Sequence, residues 1–210
     1  MELDHYFDMA SIEHEWLENQ DSIFKAYSEV IERPYLKDSD IIILCHDDIE
    51  IWDSIEHFTH TLSTSLENPD VAFVGVAGTT IMQKDAVWWD MERRKSGLHR
   101  GFVFQGSGRE DATPNYFGPP GKVAILDGLF LAAKAETLRK IGLEKPDNYE
   151  GEWDFYDIHY CSKAIEMGYS NKVIPVNILH NSPGELVGRE SWLKNRMAFI
   201  NSHSFPIRAK

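Results

Sequence analysis

The stretch that most constrains this chain is SDIIILCHDDIEIW, Ser39 to Trp52. Ile41 to Cys45 is an unbroken apolar run rich in β-branched residues, as expected of a strand buried on both faces. It stops abruptly at His46, Asp47 and Asp48. Packing supplies no reason to finish a buried strand with adjacent carboxylates. In open α/β sheets the crevice beyond the carboxyl ends of the strands is where ligands bind. Acids placed there form an oxygen-rich site suited to Mg²⁺ or Mn²⁺. Glu50 lies two residues past Asp48, on the same side of an extended segment, and can add an oxygen. The same acids can equally open a turn and cap the next element, so the stretch alone leaves both readings open.

The rest of the chain predicts the scaffold around it. Residues from about Ser11 to Ile31 read as helical, with Ile23, Tyr27, Val30 and Ile31 at i, i+4, i+7 and i+8 and Pro34 as the stop. A second helix comes after Asp53-Ser54, carrying Ile55, Phe58, Leu62 and Leu66 on one side. Val71 to Gly78 is a further apolar strand. Helix, strand, helix, strand predicts an α/β domain with a mostly parallel central sheet flanked by helices. Gln83 to Pro120, with Trp88, Trp89 and Arg93, reads as a long irregular loop, and such loops in compact domains are usually functional or mobile. Strand character returns in Lys122–Lys134 around Asp127-Gly128. A short helix over Ala135 to Ile141 ends at Gly142, another spans Trp153 to Met167, a strand ends at His180, and ESWLKNRMAFI forms a last helix. With 210 residues, 42% of them hydrophobic, and no repeat or linker, the chain 1–210 reads as one domain.

Further candidate positions sit at element ends. Gly128 permits close backbone approach, and Asp127 beside it can bind a hydroxyl or serve an ordinary turn. In GEWDFYDIHY, Asp154 fits a helix-dipole role, while Asp157 lies deeper, near the apolar stripe, where a carboxylate can act as general base. His180 closes a strand, a place where a histidine is either structural or a ligand.

The charge balance narrows the partners. With 34 acidic and 21 basic residues, a net charge of −13 argues against nucleic acid or an anionic membrane. A phosphorylated ligand would need a divalent cation as intermediary. Cys45 and Cys161 show no metal spacing and read as reduced structural thiols. No signal-like segment or membrane span is present in the sequence, so a soluble, cytoplasmic protein is expected.

A strand ending in an Asp-x-Asp-like element, then DGLFLAAK, then DFYDIHYCSKAIEMGY, then VIPVNILHNSPG, in this order, resembles the family 2 type of glycosyltransferases with the GT-A fold. The nearest likeness is to the branch related to the streptomycin-biosynthesis glycosyltransferase-like domain, whose strand ends in a His-x-Asp form. The resemblance spans about residues 20 to 200 and implies a GT-A-like, Rossmann-like domain. It implies that Asp48 binds the divalent metal, Mn²⁺ or Mg²⁺, bridging the diphosphate of a nucleotide-sugar (UDP-, GDP- or dTDP-sugar). His180 completes the metal site, and Asp157 is the general base of an inverting transfer to a glycan or glycoconjugate. His46 and Asp47 lie toward the donor, and Asp127 and Gly128 line the sugar and acceptor site. Apart from the resemblance, the composition of the Gln83–Pro120 loop, with Trp88, Trp89 and Arg93, suits either closure over the donor or a surface loop with no role, and Trp153 is a further candidate for donor or acceptor binding. Relatives begin with a strand–loop–helix unit for the nucleobase. Here about twenty helical-looking residues precede the equivalent segment, so the nucleotide-binding part is expected to be abbreviated, or the chain to be one module of a longer protein. Two other readings stay open: an inactive nucleotide-sugar or glycan-binding module, and a metal-dependent phosphohydrolase or nucleotidyltransferase.

Overall fold

The computed structural model describes residues 2–89, 96–182 and 189–210. Helices form where the sequence supplies an apolar stripe, in two cases behind a serine cap. α1 (Leu3–Met9) comes first. α2 (Ile23–Ile31) starts at Ser22, whose hydroxyl accepts from the Lys25 amide at 3.3 Å. The helix expected from Ser11 is therefore shorter. Ser11 and Asn19 both have left-handed backbones, φ 55, which interrupt an α-helix. α3 (Ile55–Ser65) is capped by Ser54 and buries Phe58 and Leu62. α4 (Ala135–Ile141) stops at Gly142, φ 71, where glycine alone is unstrained. α5 (Tyr156–Glu166) and α6 (Glu190–Ser202) complete the described helices.

The strands are β1 (Ile41–Cys45), β2 (Ile49–Ile51), β3 (Val71–Gly75), β4 (Ala77–Thr79), β5 (Ile81–Met82), β6 (His99–Gln105) and β7 (Thr113–Gly118). They continue as β8 (Gly121–Val123), β9 (Ile125–Leu126), β10 (Phe130–Lys134), β11 (Ser170–Val173), β12 (Ile178–His180) and β13 (Ile207–Arg208). One sheet has the order β1-β10-β3-β11-β8, and a second has β2-β12-β6-β4-β9 with β7 paired on β6. A small third sheet joins β13 to β5.

The mostly parallel sheet read from the sequence is corrected to mixed sheets. Among the described residues only β3–β11 and β6–β12 run parallel, and the other pairings are antiparallel. The helix–strand alternation misled because the strands flanking α3, β2 and β3, lie in different sheets. β1 differs too. It is an edge strand in which only Leu44 is fully buried, and its other side chains are partly open to a cleft. The long loop read over Gln83–Pro120 is corrected in its described part, where β6 and β7 form an antiparallel hairpin. No strand precedes β1 among the described residues. No described helix is long and apolar enough to cross a membrane.

The buried apolar side chains form one continuous cluster, from Tyr6 and Phe24 through Phe73 and Phe130 to Phe199. Among the polar side chains buried with it is Asn195 on α6. Asn195 Oδ1 accepts from the Glu150 and Gly151 amides at 2.9 and 2.8 Å, and Nδ2 donates to the Gly151 and Asp154 carbonyls at 2.9 Å each. One side chain thus satisfies four backbone groups of the segment that leads into α5. Asn195→Ala would leave these groups without that partner. A loss of roughly 2–4 kcal/mol in unfolding free energy is expected from urea denaturation.

Candidate active site

Strand register assembles the site. Cys45 of β1 lies opposite Phe130 of β10, and the His46 amide extends this ladder by donating to the Leu129 carbonyl at 3.1 Å. The chain turns through Asp47 and Asp48 into β2, which places Ile49 opposite His180 of β12. The Asn181 amide donates to the Asp48 carbonyl at 2.7 Å. Asp48 and His180, far apart in sequence, therefore meet through strand pairing.

His180 Nε2 lies 3.4 Å from Asp48 Oδ1, and His46 Nδ1 lies 3.8 Å from the same atom. Asp48 Oδ1 is buried and makes no hydrogen bond of standard geometry among the described residues. A buried carboxylate oxygen in that position is costly unless positive charge faces it. The ligand atoms of His46, Asp48 and His180 all lie within 4.8 Å of one another, close enough to hold one metal ion. Two imidazoles and a carboxylate suit a first-row divalent cation. Burial pushes the His46 imidazole down, favouring the neutral ring that a ligand needs. Burial also opposes charge on His180, but its contact with Asp48 outweighs this and raises it. Asp48 is held below the usual carboxylate range by His180, against the opposing effect of burial.

Beside this group runs the 127–129 turn. Asp127 Oδ1 accepts from the Leu129 amide at 3.0 Å. The first turn of α5 docks on the same turn, with Asp157 Oδ2 accepting from the Gly128 amide at 3.0 Å. The Tyr156 hydroxyl donates to the Gly128 carbonyl at 3.0 Å and meets His46 Nε2 at 2.9 Å. Burial pushes the Asp157 carboxyl from the ordinary 3.8 up to about 7, and the negative charge of Asp127 adds to the effect. Asp48 and Asp157 are thus driven in opposite directions, the pattern that separates a charged ligand from a proton acceptor.

Both groups open into one cleft of about 1400 Å³. Among its described lining residues the only Arg or Lys side chains are Arg33 and Arg189. Each is already paired, Arg33 with Glu15 and Arg189 with Asp154 at 2.7 Å. The buried Asp154 also accepts from Ser191 Oγ at 2.7 Å, so it ties α6 to the approach to α5 and does more than complement a helix dipole.

The structure brings His46, Asp48 and His180 together and sets Asp127, Gly128 and Asp157 beside them. Asp47 is exposed at the cleft. Glu50 is drawn away from the cluster by Arg109 Nε at 2.8 Å and Trp52 Nε1 at 3.3 Å. Trp153 is exposed on the cleft wall, and Trp89 packs edge-on against Trp192. Trp88, expected on a closing loop, is buried in the core, although it borders the cleft. Arg93 lies outside the described residues. Sequence reading missed Tyr156, Arg189 and Trp192. A tyrosine directly before Asp157 carried no signal until the 128 backbone was placed against it.

A family model described as "Glycosyltransferase like family" matches residues 6–187. The fold is similar to a solved structure described as the crystal structure of GalNAc-T7 with UDP, GalNAc and Mn²⁺, with TM-score 0.54 and 14% identity. That match covers 95% of this chain and 39% of the other, so this chain spans well under half of that protein. At such identity the likeness is one of fold, the α/β arrangement of the GT-A type. No curated protein sequence matches the chain.

The raised Asp157 has a measurable consequence for stability. A carboxyl whose folded value exceeds its unfolded one takes up a proton on folding. Its contribution is fully present below about pH 4 and is lost as pH rises through about 7. Asp157→Asn is neutral at every pH and keeps an oxygen for the Gly128 amide. Chemical unfolding at pH 8.5 should show it more stable than the wild type by on the order of a few kcal/mol, with the gain shrinking at pH 5.

Proposed function

Since the chain belongs to the glycosyltransferase-like family, we propose that it moves a sugar from a nucleoside-diphosphate donor to a hydroxyl of a glycan or glycoconjugate, with a divalent cation, Mn²⁺ or Mg²⁺, as cofactor. The observation that carries this reading is the orphaned Asp48 Oδ1 facing two imidazoles in a cleft whose described arginines are already paired. A diphosphate entering that cleft would meet carboxylates unless a cation stood between.

In this reading Asp48, His180 and His46 hold the cation. When bound, the ion supplies positive charge against the leaving nucleoside diphosphate. Asp157, pushed up to about 7, takes the proton of the acceptor hydroxyl as it attacks the anomeric carbon from the opposite face, with inversion. Gly128 N–H holds one oxygen of that carboxylate and orients it. Asp127 binds a sugar hydroxyl, and Asp47, at the open side, approaches the donor. Trp153 and Trp89 offer ring faces or edges for the sugars, with Trp88 packed beside Trp89. Arg93 is the remaining candidate for the donor phosphates. His46 at the head of the acidic element supports a place near the streptomycin-type branch, and the free thiols Cys45 and Cys161 fit a reducing, cytoplasmic setting.

Titration calorimetry with UDP-, GDP- and dTDP-sugars is expected to show binding of one of them with Mn²⁺ and little without it, and Asp48→Ala should abolish the metal-dependent part. Binding indifferent to both metal and Asp48 would sink the proposal.

Turnover is expected to rise with pH through about 7 as Asp157 loses its proton. Asp157→Asn should keep donor binding while lowering turnover by roughly 10²–10⁴. An unchanged rate would remove Asp157 as the base, and a product retaining the donor's anomeric configuration would remove inversion. A binding module without turnover is the competing reading. Donor binding without transfer to any acceptor would decide for it.

A further inference from the structure

We propose that Tyr156 is a positioning residue for the metal cluster: its hydroxyl, held by the Gly128 backbone, fixes His46 as the Nε2–H tautomer and so aims Nδ1 at the cation shared with Asp48 and His180. The inference deepens the reading above and rests on its metal site.

The assignment comes from counting protons. A phenol has one. The Gly128 carbonyl can only accept, so at 3.0 Å it takes that proton. What the hydroxyl has left for His46 Nε2, at 2.9 Å, is a lone pair, so Nε2 must carry the hydrogen. In a neutral ring Nδ1 is then bare. Nδ1 is also the nitrogen 3.8 Å from Asp48 Oδ1, on the side of the cluster. Metal-ligating imidazoles generally donate their second N–H to an oxygen that sets tautomer and ring angle. Here that oxygen is a phenol backed by a carbonyl.

Two further features fix the phenol. Its ring is buried and packs edge-on against Tyr27 and Tyr160, with centroids at 5.9 and 6.1 Å. A Cβ at position 128 would lie 2.3 Å from the Tyr156 hydroxyl and 2.6 Å from Cζ. Glycine at 128 is therefore demanded by the close approach of this side chain. The positions Gly128, Tyr156 and His46 form one line of contact ending at the metal group.

Tyr156→Phe removes the hydroxyl and keeps the ring. Its metal-free melting temperature is expected to fall by a few degrees, since the Gly128 carbonyl and His46 lose a buried partner. Its affinity for Mn²⁺, titrated alone and read by electron paramagnetic resonance of the free ion, should fall roughly 10–100-fold. Imidazole ¹⁵N spectra of the metal-free wild type at neutral pH should show His46 as a single Nε2–H tautomer, turning into a mixture in Tyr156→Phe. Gly128→Ala, which displaces the hydroxyl, should reproduce both changes. A wild-type His46 found as the Nδ1–H tautomer overturns the proposal without any variant. So does a Tyr156→Phe protein that loses stability while Mn²⁺ affinity and tautomer stay unchanged, since that is a purely structural role. If wild-type protein binds no Mn²⁺, the metal reading and this inference fall together. If it binds and Tyr156→Phe does not weaken it, only this inference falls.

Discussion

The β1–β10 ladder determines where His46 and the two acids after it end up. Its register sets Ile41 against Lys134 and Cys45 against Phe130, and the His46–Leu129 bond carries it one step beyond the strands. Side chains alternate along a strand, so a slip of one residue would reverse the facing of all of β1. It would also part His46 from the 127–129 turn and from the Tyr156 hydroxyl. The second ladder, β2 on β12, delivers His180 to Asp48. Because the turn at Asp47 and Asp48 joins β1 to β2, it stitches one sheet to the other. The metal group lies on that seam.

Electrostatics explains why the seam is an uncomfortable place without a ligand. Asp127 raises Asp157, and the charges of Asp127 and Asp48 both reach His46 and His180. The fold tolerates this by distributing the strain unequally. Asp48 shelters against two imidazoles, Asp127 commits one oxygen to its own turn, and Asp157 is left to hold a proton near neutrality. Each carboxylate is acceptable for a different reason. A divalent cation would relieve the first, and an acceptor hydroxyl can use the third.

Much of this was legible in the sequence, for reasons that can be named. The apolar run Ile41–Cys45 ending in acids marked the strand and its polar end, spaced apolar residues marked α2 but with its start placed too early, and Asp53-Ser54 before spaced apolar residues marked α3. Asp48, Asp157 and His180 were visible because charged or titratable residues at element ends are poor packing choices. Strand direction was not legible, because hydrophobic periodicity carries no information about which sheet a strand joins. The β6–β7 hairpin was hidden by its glycines. Gly101 and Gly118 face each other across the ladder, and Cβ atoms there would meet the backbone of Val76 and His99. Residues that looked like loop punctuation are thus packing requirements of a strand pair. His46 was read toward the donor because only a three-dimensional contact shows which ring nitrogen faces Asp48.

The last element of the site to be explained is the approach to α5, since Tyr156 and Asp157 are useful only if their helix begins at the right place and angle. The residue before it, Phe155, has a left-handed backbone, φ 68, and caps the helix without a side-chain hydrogen bond. For an aromatic residue that conformation costs on the order of 1–2 kcal/mol. The cost is offset by burial: the Phe155 ring packs against Trp192 and Phe199 with centroids at 5.2 and 5.9 Å. Both partners belong to α6, as does Asn195, which grips the backbone of residues 150, 151 and 154. Arg189 and Ser191, at the start of the same helix, hold the Asp154 carboxylate. α6 therefore acts as a splint on a strained turn. With that turn fixed, Tyr156 can reach His46 and Asp157 can reach Gly128 without either helix or sheet having to adjust.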